Sequence, residues 1–484
     1  MLARLGIPDF SALEGDRLRR AAARFEERDL GAFLIRMFVL GAPIDAADLG
    51  AAMEPAEHAA FVSTGLLDAI EPGEPTDAAR RWYSPIRLAP LTHRDNDLLI
   101  ACDRLERPDG SAFEPPPDIV FSGHNPLTRQ FLGLLPATDT GTMLDLCSGT
   151  GVGALAAAPT ARRVTAVDIT ERCTAFARFN CWLNGIDHVD VRCGDLFAPV
   201  RDERFDRIVA HPPYVPTLAD IAIYRDGGET GDRLLRQIVA ALPDHLTPGG
   251  TFHMLTIGMD TAGAPFEMRV REWLGAAGAE FDVVFALADS KSPAEFARSL
   301  VGRVAGSKER DHDRWSHLFD EMQLREVVYG ALVGRRIVTA AGDPQTRRVI
   351  AEAGVGPDGF EWLFRWFDWL RLPDRRERVL SLQPRLAPDA TVAVAHVVRD
   401  GHFAPDRFRL RNGGVPFTVQ LQSDGWVVAM MDGFDGTRTV AEMYGVARMA
   451  GSIPEQMSEG EFVDLICLLV EKGLLRAPDA PQGG

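Results

Sequence analysis

Residues 141–158 read GTMLDLCSGTGVGALAAA and join an apolar segment to an alanine-rich segment through a loop of small residues. The apolar part predicts a buried strand that ends at Asp145, and the alanine-rich part predicts a helix. Gly149 and Gly151 lie in the loop, where glycine permits positive φ angles and a close approach of the backbone to a ligand. A strand, glycine loop and helix in this order form cofactor sites at the carboxyl edge of parallel sheets. The spacing differs from the GxGxxG pattern of dinucleotide-binding proteins, whose third glycine comes one place later.

Three further predicted strands also end on polar side chains. VTAVDIT ends on Asp168, at a position where a carboxylate accepts hydrogen bonds from ribose hydroxyls. VRCGDLF ends on Asp195, which suits the exocyclic amine of an adenine whose ring Leu196 would cover. FDRIVAHPPYVP, residues 205–216, ends on His211, and the two prolines after it cannot continue a central strand because they lack an N–H. Four such strand ends predict one site at the sheet edge.

Strands and helices alternate from residue 118 to residue 340, and this alternation predicts an α/β domain with a doubly wound, mostly parallel, seven-stranded sheet. The predicted strands are 143–146, 163–167, 189–193, 207–210, 251–256, 281–286 and 327–333. The predicted helices are 152–158, 171–184, 230–245, 265–277 and 292–302. The insertion 303–323 is polar in composition and is expected to be exposed.

Residues 1–106 and 345–484 flank this domain, and both segments mix helices with short strands. In the first, RWYSPIRLAPLTHRDNDLLIACD predicts two strands around the turn HRDND, and the whole segment is interpreted either as a winged-helix-like module or as a plain α+β accessory domain. RPDGSAFEPPPD, residues 107–118, has the composition of a linker.

The C-terminal segment contains DGFDGTRTVAEM, with Asp-Gly turns and Thr437 placed to cap a helix. Together with EFVDLICLLVEKGLL it resembles small winged-helix modules, including the peptide-binding type found beside peptide-modifying enzymes. The resemblance implies an accessory domain for recognition or dimerisation, and a homodimer is one expectation. The tryptophans of FEWLFRWFDWLRLPD have helical spacing and are expected to pack in a core or between domains.

The composition excludes several classes of function. The formal net charge of −17 opposes non-specific binding to phosphate backbones, so a nucleic acid partner is disfavoured. The sequence contains no apolar stretch long enough for a membrane span, and the first residues lack the pattern of a signal peptide, so we expect a cytoplasmic protein. The six cysteines include no CxxC pair, and neither a disulfide framework nor a metal site is expected.

Taken together, DLCSGTG, AVDI, GDLF and FDRIVAHPPYVP resemble the motifs of class I S-adenosylmethionine-dependent methyltransferases. The resemblance is to the branch with an Asn-Pro-Pro-Tyr motif, which includes the bacterial HemK-type glutamine methyltransferases and N-methyltransferases of nucleic acids. It implies S-adenosylmethionine as cofactor. The residues that it places at the cofactor are Asp145, Cys147, Ser148, Gly149, Thr150, Gly151, Asp168, Ile169, Asp195, Leu196 and His211. The residues that it places in segments closing over cofactor and acceptor are Phe121, His124, Asn125, Thr128, Tyr224 and Arg225.

The same resemblance places the methyl acceptor at HPPY, residues 211–214. In the related enzymes an Asn side chain and a proline carbonyl accept hydrogen bonds from a planar NH2 group, and the aromatic residue stacks on it. His211, Pro212, Pro213 and Tyr214 are therefore the candidate catalytic residues. A sulfonium is already an activated methyl donor, so this chemistry needs alignment of the acceptor more than covalent help.

His211 departs from the family motif, because an imidazole has no amide oxygen. It could orient an N–H group of a protein, peptide or small-molecule acceptor, which favours N-methylation. It could instead act as a general base for O-methylation. A nucleic acid N-methyltransferase and a methyltransferase-like binding protein without activity are the remaining alternatives.

Overall fold

The computed structural model describes most of the chain, and the fold is given for the described residues alone. These residues are 20, 29–70, 81–104, 118–121, 126–214, 232–301, 309–338, 343–351, 356–413 and 417–477. The chain forms two compact units. The first contains Met1–Leu132 and Thr138–Thr230, and the second contains Gly133–Ala137 and Gly231–Gly484. The division into three domains at 1–106, 118–340 and 345–484 stays a prediction.

The first unit begins with short helices around a small antiparallel sheet. In chain order the elements are α1 (Leu30–Leu34), a π-helical turn (Ile35–Leu40), β1 (Ile44–Asp45), α2 (Ala46–Ala52), α3 (Pro55–Ser63), β2 (Asp68–Ile70) and β3 (Arg81–Tyr83). The strand order is β1-β3-β2, and Phe33, Met37 and Trp82 are buried beside it. The hairpin of β4 (Ile86–His93) and β5 (Asn96–Asp103) follows and confirms the predicted pair of strands.

The α/β part of the first unit carries four parallel strands. Its elements are α4 (Pro126–Gly133), β6 (Thr140–Leu146), α5 (Val152–Ala157), β7 (Ala161–Asp168), α6 (Glu171–Leu183), β8 (Val189–Cys193) and β9 (Phe205–Ala210), with 3-10 turns at Ala158–Thr160 and Ala198–Val200. The strand order is β9-β6-β7-β8, with every pair parallel. The chain therefore runs outward from β6 through β7 to β8 and then returns to the other side of β6. This Rossmann-like order makes the carboxyl ends of β6 and β9 the topological switch point, where such folds bind ligands.

The second unit contains four strands of its own in this part of the chain. Its first elements are α7 (Arg233–His245), β10 (Leu246–Thr261), α8 (Phe266–Trp273), a 3-10 turn (Gly275–Glu280), β11 (Phe281–Lys291), α9 (Pro293–Val301), α10 (Glu309–Glu321), β12 (Leu324–Arg336) and β13 (Thr346–Ile350). β12 lies antiparallel between β10 and β11, and β13 pairs parallel with β11.

Two sequence-based expectations need correction in this unit. All seven predicted strands are present, but β13 is an eighth strand beside β11. Its segment TRRVI was not predicted as a strand, because it shows little apolar pattern. Arg348 is held there by ion pairs with Asp260 and Glu267. The insertion expected to be exposed contains helix α10, whose Trp315 and Phe319 are buried four residues apart on one face.

The rest of the second unit packs around a helical core. Its elements are α11 (Pro357–Arg371), α12 (Arg375–Ser381), β14 (Arg385–Leu386), β15 (Thr391–Arg399), β16 (His402–Arg411), β17 (Gln420–Ser423), α13 (Gly425–Met431), α14 (Val440–Met449), α15 (Glu459–Glu471) and β18 (Leu475–Arg476). β15, β16 and β17 form one sheet, and β14 pairs with β18. The α11 tryptophans Trp362, Trp366 and Trp369 are buried in this core, as expected.

The caps of α14 and α15 use capping boxes in which side chain and backbone bond reciprocally. Thr439 with Glu442 caps α14, and Ser458 with Glu461 caps α15. The prediction of Thr437 as the cap was therefore wrong by two residues, because its hydroxyl instead donates to Asp435 in the preceding turn at 2.6 Å. Among the described helices none is long and apolar enough to cross a membrane.

Candidate cofactor and acceptor site

The loop after β6 is held in an unusual backbone conformation by its own hydrogen bonds. Cys147, Gly149 and Gly151 have φ angles of 57°, 53° and 77°, all in the left-handed region. The N–H of Ser148 donates to the carbonyl of Val167 at 3.1 Å, and the N–H of Gly151 donates to the carbonyl of Ser148 at 2.7 Å. The loop thus curls tightly at the carboxyl end of β6, and its first left-handed residue carries a side chain, which costs about 1 kcal/mol.

Asp145 closes the strand beneath this loop. Its carboxylate is buried and accepts a hydrogen bond from the N–H of Ala154, in the first turn of α5, at 2.8 Å. Burial raises the pKa of Asp145 to about 7, the Ala154 N–H opposes this shift, and the charge of Asp168 adds to it. The carboxylate therefore lies near its titration point at neutral pH.

Gly153 belongs to this arrangement, although sequence reasoning did not select it. A Cβ at Gly153 would lie 2.8 Å from Oδ2 of Asp145 and 2.9 Å from Cε1 of Phe131. Only glycine lets α5 begin this close to the carboxylate. The signal was present in the sequence, since Gly153 is the glycine that breaks the GxGxxG spacing.

Asp168, at the end of β7, connects the loop to the neighbouring strand. Its Oδ2 accepts from the N–H of Gly149 at 2.8 Å, and its Oδ1 accepts from the N–H of Thr170 at 3.1 Å. Oδ1 also accepts from the Thr170 hydroxyl at 3.3 Å, whereas Oδ2 can accept a second hydrogen bond, so the group can still receive a ribose hydroxyl. Asp168 thus shapes the loop and remains able to bind a ligand.

An exposed apolar surface lies beyond Asp168. Ile169 is 54% exposed, which is unusual for isoleucine, and Asp195 is exposed as well. The N–H of Gly194 donates to the carbonyl of Asp168 at 2.9 Å and holds the end of β8 against the end of β7. Leu196 has a φ of 45°, which places it in a tight turn after Asp195. A flat apolar ring with an amine at its edge matches this combination of side chains.

The HPPY segment begins where β9 ends. The His211 ring stacks on Phe131 with ring centroids 5.2 Å apart and an angle of 23° between the planes. The Tyr214 ring lies 5.9 Å from His211 on centroids, tilted by 32°. Pro212 and Tyr214 are buried, whereas His211 and Pro213 are half-buried. Phe131 was missed from the sequence, because in QFLGLL it reads as ordinary core.

His211 is neutral in this setting. Burial alone lowers its pKa to about 4, with no contribution from a charged group. A neutral imidazole offers one hydrogen-bond acceptor and one donor. The side chain can therefore orient an N–H group at neutral pH, while it is a weak base.

Cys147 is not an activated thiol. Burial raises its pKa, and the carboxylates of Asp168, Asp145 and Asp195 raise it further. The thiol stays protonated at neutral pH, so Cys147 is not suited to act as a nucleophile.

Of the remaining predicted site residues, four lie in the described part of the chain and four do not. Ser148 and Thr150 are buried in the loop, and the Ser148 hydroxyl has no hydrogen-bond partner among the described residues. Phe121 and Thr128 are half-buried, with Thr128 on α4. The other four candidates lie outside the described residues, namely His124, Asn125, Tyr224 and Arg225.

Comparisons with known proteins match the region that holds this site. The family model described as methyltransferase small domain matches residues 120–261. The chain is 33% identical to the release factor glutamine methyltransferase of Deinococcus radiodurans over 43% of this chain and 77% of that protein. The identity to the enzyme of the same name from Pseudomonas aeruginosa is also 33%, over 46% of this chain and 87% of that protein.

Another relative matches over a shorter length. The chain is 35% identical to the ribosomal protein uL3 glutamine methyltransferase of Bradyrhizobium diazoefficiens, over 29% of this chain and 49% of that protein. The chain thus spans about half the length of that relative. Among solved structures, the ribosomal protein L11 methylase of Lactobacillus delbrueckii aligns over 48% of this chain and 86% of its own, with 20% identity and a TM-score of 0.27.

Proposed function

Because this chain belongs to the HemK-like family of class I S-adenosylmethionine-dependent methyltransferases, which includes the release factor glutamine methyltransferases, we propose that it methylates a nitrogen atom of a protein acceptor. The observation that carries the proposal is the position of HPPY. It begins at the carboxyl end of β9, next to β6 and its glycine loop, at the topological switch point of the first unit.

The residues present fit S-adenosylmethionine. The backbone from Cys147 to Gly151 would hold the methionine part, and the unpartnered Ser148 hydroxyl is available there. Asp168 would hold the ribose, and Asp195 with Ile169 and Leu196 would hold the adenine. The cofactor supplies a methyl group on a positively charged sulfonium, which the nearby carboxylates complement.

The acceptor would lie beside HPPY. The prolines fix the backbone and leave carbonyl oxygens free to accept from an acceptor N–H. His211 would accept a further hydrogen bond through the ring nitrogen that carries no proton. Its ring contacts the rings of Phe131 and Tyr214, which help to keep it in place. Hydrogen bonds that orient the acceptor lone pair toward the methyl group are the main contribution that the protein can make to such a transfer.

The low basicity of His211 favours nitrogen over oxygen as the acceptor atom. Burial lowers the pKa of His211 to about 4, which leaves the ring a poor base toward a hydroxyl group. A nitrogen lone pair can attack before its proton is lost, and the N-methylated cation then releases that proton to solvent, so the acceptor needs orientation and no base before the transfer. O-methylation with His211 as base therefore becomes an outcome of the test below.

The flanking parts would recognise the acceptor. The elements α1, β1, α2, α3, β2 and β3 occur in the order helix, strand, helix, helix, strand, strand, with sheet order β1-β3-β2. This is the order of a winged-helix module, and α14, α15 and the pair β14–β18 would form a second such module. We place the catalytic domain at 118–340 between them, in a cytoplasmic enzyme that could be a homodimer.

Two measurements test the proposed function. Titration calorimetry with S-adenosylhomocysteine should show binding to the full chain, and absence of binding would refute the cofactor assignment. Purified release factor and ribosomal protein uL3, the substrates named for the relatives, should then be tried with labelled S-adenosylmethionine, and the modified residue identified by mass spectrometry.

Replacing His211 separates the acceptor chemistries. We expect His211→Asn to retain or improve methyl transfer, because an amide also orients a planar N–H group. Abolished transfer with intact binding of S-adenosylhomocysteine would instead support a general base, and hence O-methylation. His211→Ala serves as the control that removes both functions.

A further inference from the structure

Strand β5 has two edges, and among the described residues only one of them pairs with another strand. Along the other edge its backbone bonds to asparagine side chains from α6 and its C-terminal end. Asn184 accepts from the N–H of Leu99 at 2.9 Å and donates to the Leu99 carbonyl at 2.8 Å. Asn180 accepts from the N–H of Ala101 at 2.7 Å and donates to the Ala101 carbonyl at 3.1 Å. The two asparagines together replace a missing neighbouring strand.

The spacing of the two elements explains the match. A carboxamide carries one carbonyl and one N–H group, like a peptide unit. Residues four apart in a helix are separated by about 6 Å along its axis, and alternate residues of a strand by about 6.7 Å. Asn180 and Asn184 can therefore bond to Leu99 and Ala101 without distorting either element.

Asn180 makes one contact that Asn184 does not. Its side-chain nitrogen also donates to the carbonyl of Thr150 at 2.9 Å, and Thr150 lies between the two left-handed glycines of the loop after β6. Asn180 is completely buried and Thr150 nearly so, so water cannot replace this bond. Asn184 is half-buried, and within the described part of the chain its side chain otherwise bonds only to the Asn180 carbonyl.

The end of β5 is attached to the same helix and to the segment before α4. The buried Asp103 forms an ion pair with Arg172, in the first turn of α6. Its Oδ2 also accepts from the N–H of Val120 at 2.7 Å, and its own N–H donates to the Val120 carbonyl at 3.1 Å. Strand β5 thus contacts α6, the loop after β6 through Asn180, and residues 118–121.

We infer that Asn180 is a positioning residue, which keeps the loop 147–151 in its left-handed conformation by bonding Thr150 to strand β5. The inference rests on the proposed function, because it assigns that loop to the cofactor. Without the carboxamide the buried Thr150 carbonyl would lose its hydrogen bond, and the loop would sample other conformations. The hairpin β4–β5 would then be part of the frame of the cofactor site.

Asn184 supplies the matched control, since both asparagines attach the hairpin and only Asn180 reaches the loop. We expect Asn180→Ala to weaken the binding of S-adenosylhomocysteine by about tenfold, the loss expected for one buried hydrogen bond. We expect Asn184→Ala to leave this affinity within about twofold while it lowers thermal stability. Equal effects of the two variants on affinity would overturn the inference.

A second measurement does not depend on the cofactor. Amide hydrogen exchange of Gly149 and Gly151 in the ligand-free chain should speed up in Asn180→Ala and stay unchanged in Asn184→Ala. If wild type fails to bind S-adenosylhomocysteine, the proposed function fails while this comparison still tests Asn180. Unchanged exchange in Asn180→Ala would overturn the inference. If Asn180→Ala does not fold, Asn180→Asp keeps the acceptor for the Ala101 N–H and removes the N–H donor that serves the carbonyls of Ala101 and Thr150.

Discussion

The imidazole of His211 contacts the rings of Phe131 and Tyr214, and its burial determines its protonation. Burial lowers the pKa of His211 to about 4, so the ring is neutral at every pH above about 5. We expect kcat/KM to show no acidic limb near pH 6.5, the ordinary value for histidine. The measurement is a pH–rate profile between pH 5 and pH 8 for wild type and His211→Asn. A limb near 6.5 that disappears in His211→Asn would contradict the assigned environment.

Asp145 should make the stability of the protein depend on pH. Burial raises its pKa to about 7 from the ordinary 3.8, so the folded state holds a proton that the unfolded state releases. The resulting stabilisation is present in full below pH 3.8 and is lost as pH rises through 7.

We therefore expect Asp145→Asn to gain stability relative to wild type on going from pH 5 to pH 8. Urea unfolding at both pH values measures the difference. The exposed Asp202, replaced by Asn, is the matched control, and its difference from wild type should be the same at both pH values. A pH-independent effect of Asp145→Asn would refute the raised pKa.

Cys147 has a side chain in a backbone conformation that favours glycine. Its φ angle is 57°, and the left-handed region costs a non-glycine residue about 1 kcal/mol. We expect Cys147→Gly to raise the free energy of unfolding by up to about 1 kcal/mol, reduced by the greater freedom of glycine in the unfolded chain. Thermal unfolding checks this, and Cys147→Ala, which keeps the strain, should show no gain. A loss of stability in Cys147→Gly would mean that contacts of the thiol outweigh the strain.

At the scale of elements, the junction between β6 and α5 contains glycines that are required for two different reasons. Gly149 has a positive φ and open space around its Cα, whereas Gly153 lies against Asp145 and Phe131. We expect Gly149→Ala to cost about 1 kcal/mol from backbone strain. We expect Gly153→Ala to cost about 2–3 kcal/mol, because buried neighbours must move. The midpoints of urea unfolding measure both, and equal costs would show that α5 can shift to make room.

Elements with strong apolar periodicity were predictable, and elements held by charged or distant groups were not. Strands β6, β7, β8 and β9 lie where the sequence places them, because each is an apolar run between turn residues. β13 was missed, since Arg348 is stabilised there by Asp260 and Glu267 from far earlier in the chain. α10 was expected to be exposed, because Trp315 and Phe319 stand alone among polar residues.

At the scale of the whole molecule, the candidate site residues that the structure describes lie in the first unit. The loop after β6, Asp168, Asp195 and the HPPY segment all lie within Thr138–Thr230, and Phe131 lies at the end of Met1–Leu132. The net charge of −17 matches a protein acceptor better than a nucleic acid. The proposed function therefore places chemistry in the α/β part of this unit and recognition in the flanking modules, the N-terminal of which belongs to the same unit.

The sequence by itself determined the family, the glycine-rich loop after β6 and the positions of strands β6, β7, β8 and β9 along the chain. Local residue types decide those features, since glycines, strand-ending carboxylates and the two prolines act where they stand. Tertiary structure alone decided the protonation of His211 and Asp145, the requirement for glycine at position 153 and the contact of Asn180 with Thr150. Each of these depends on burial or on groups brought together from separate segments, and no local pattern in the chain records such contacts.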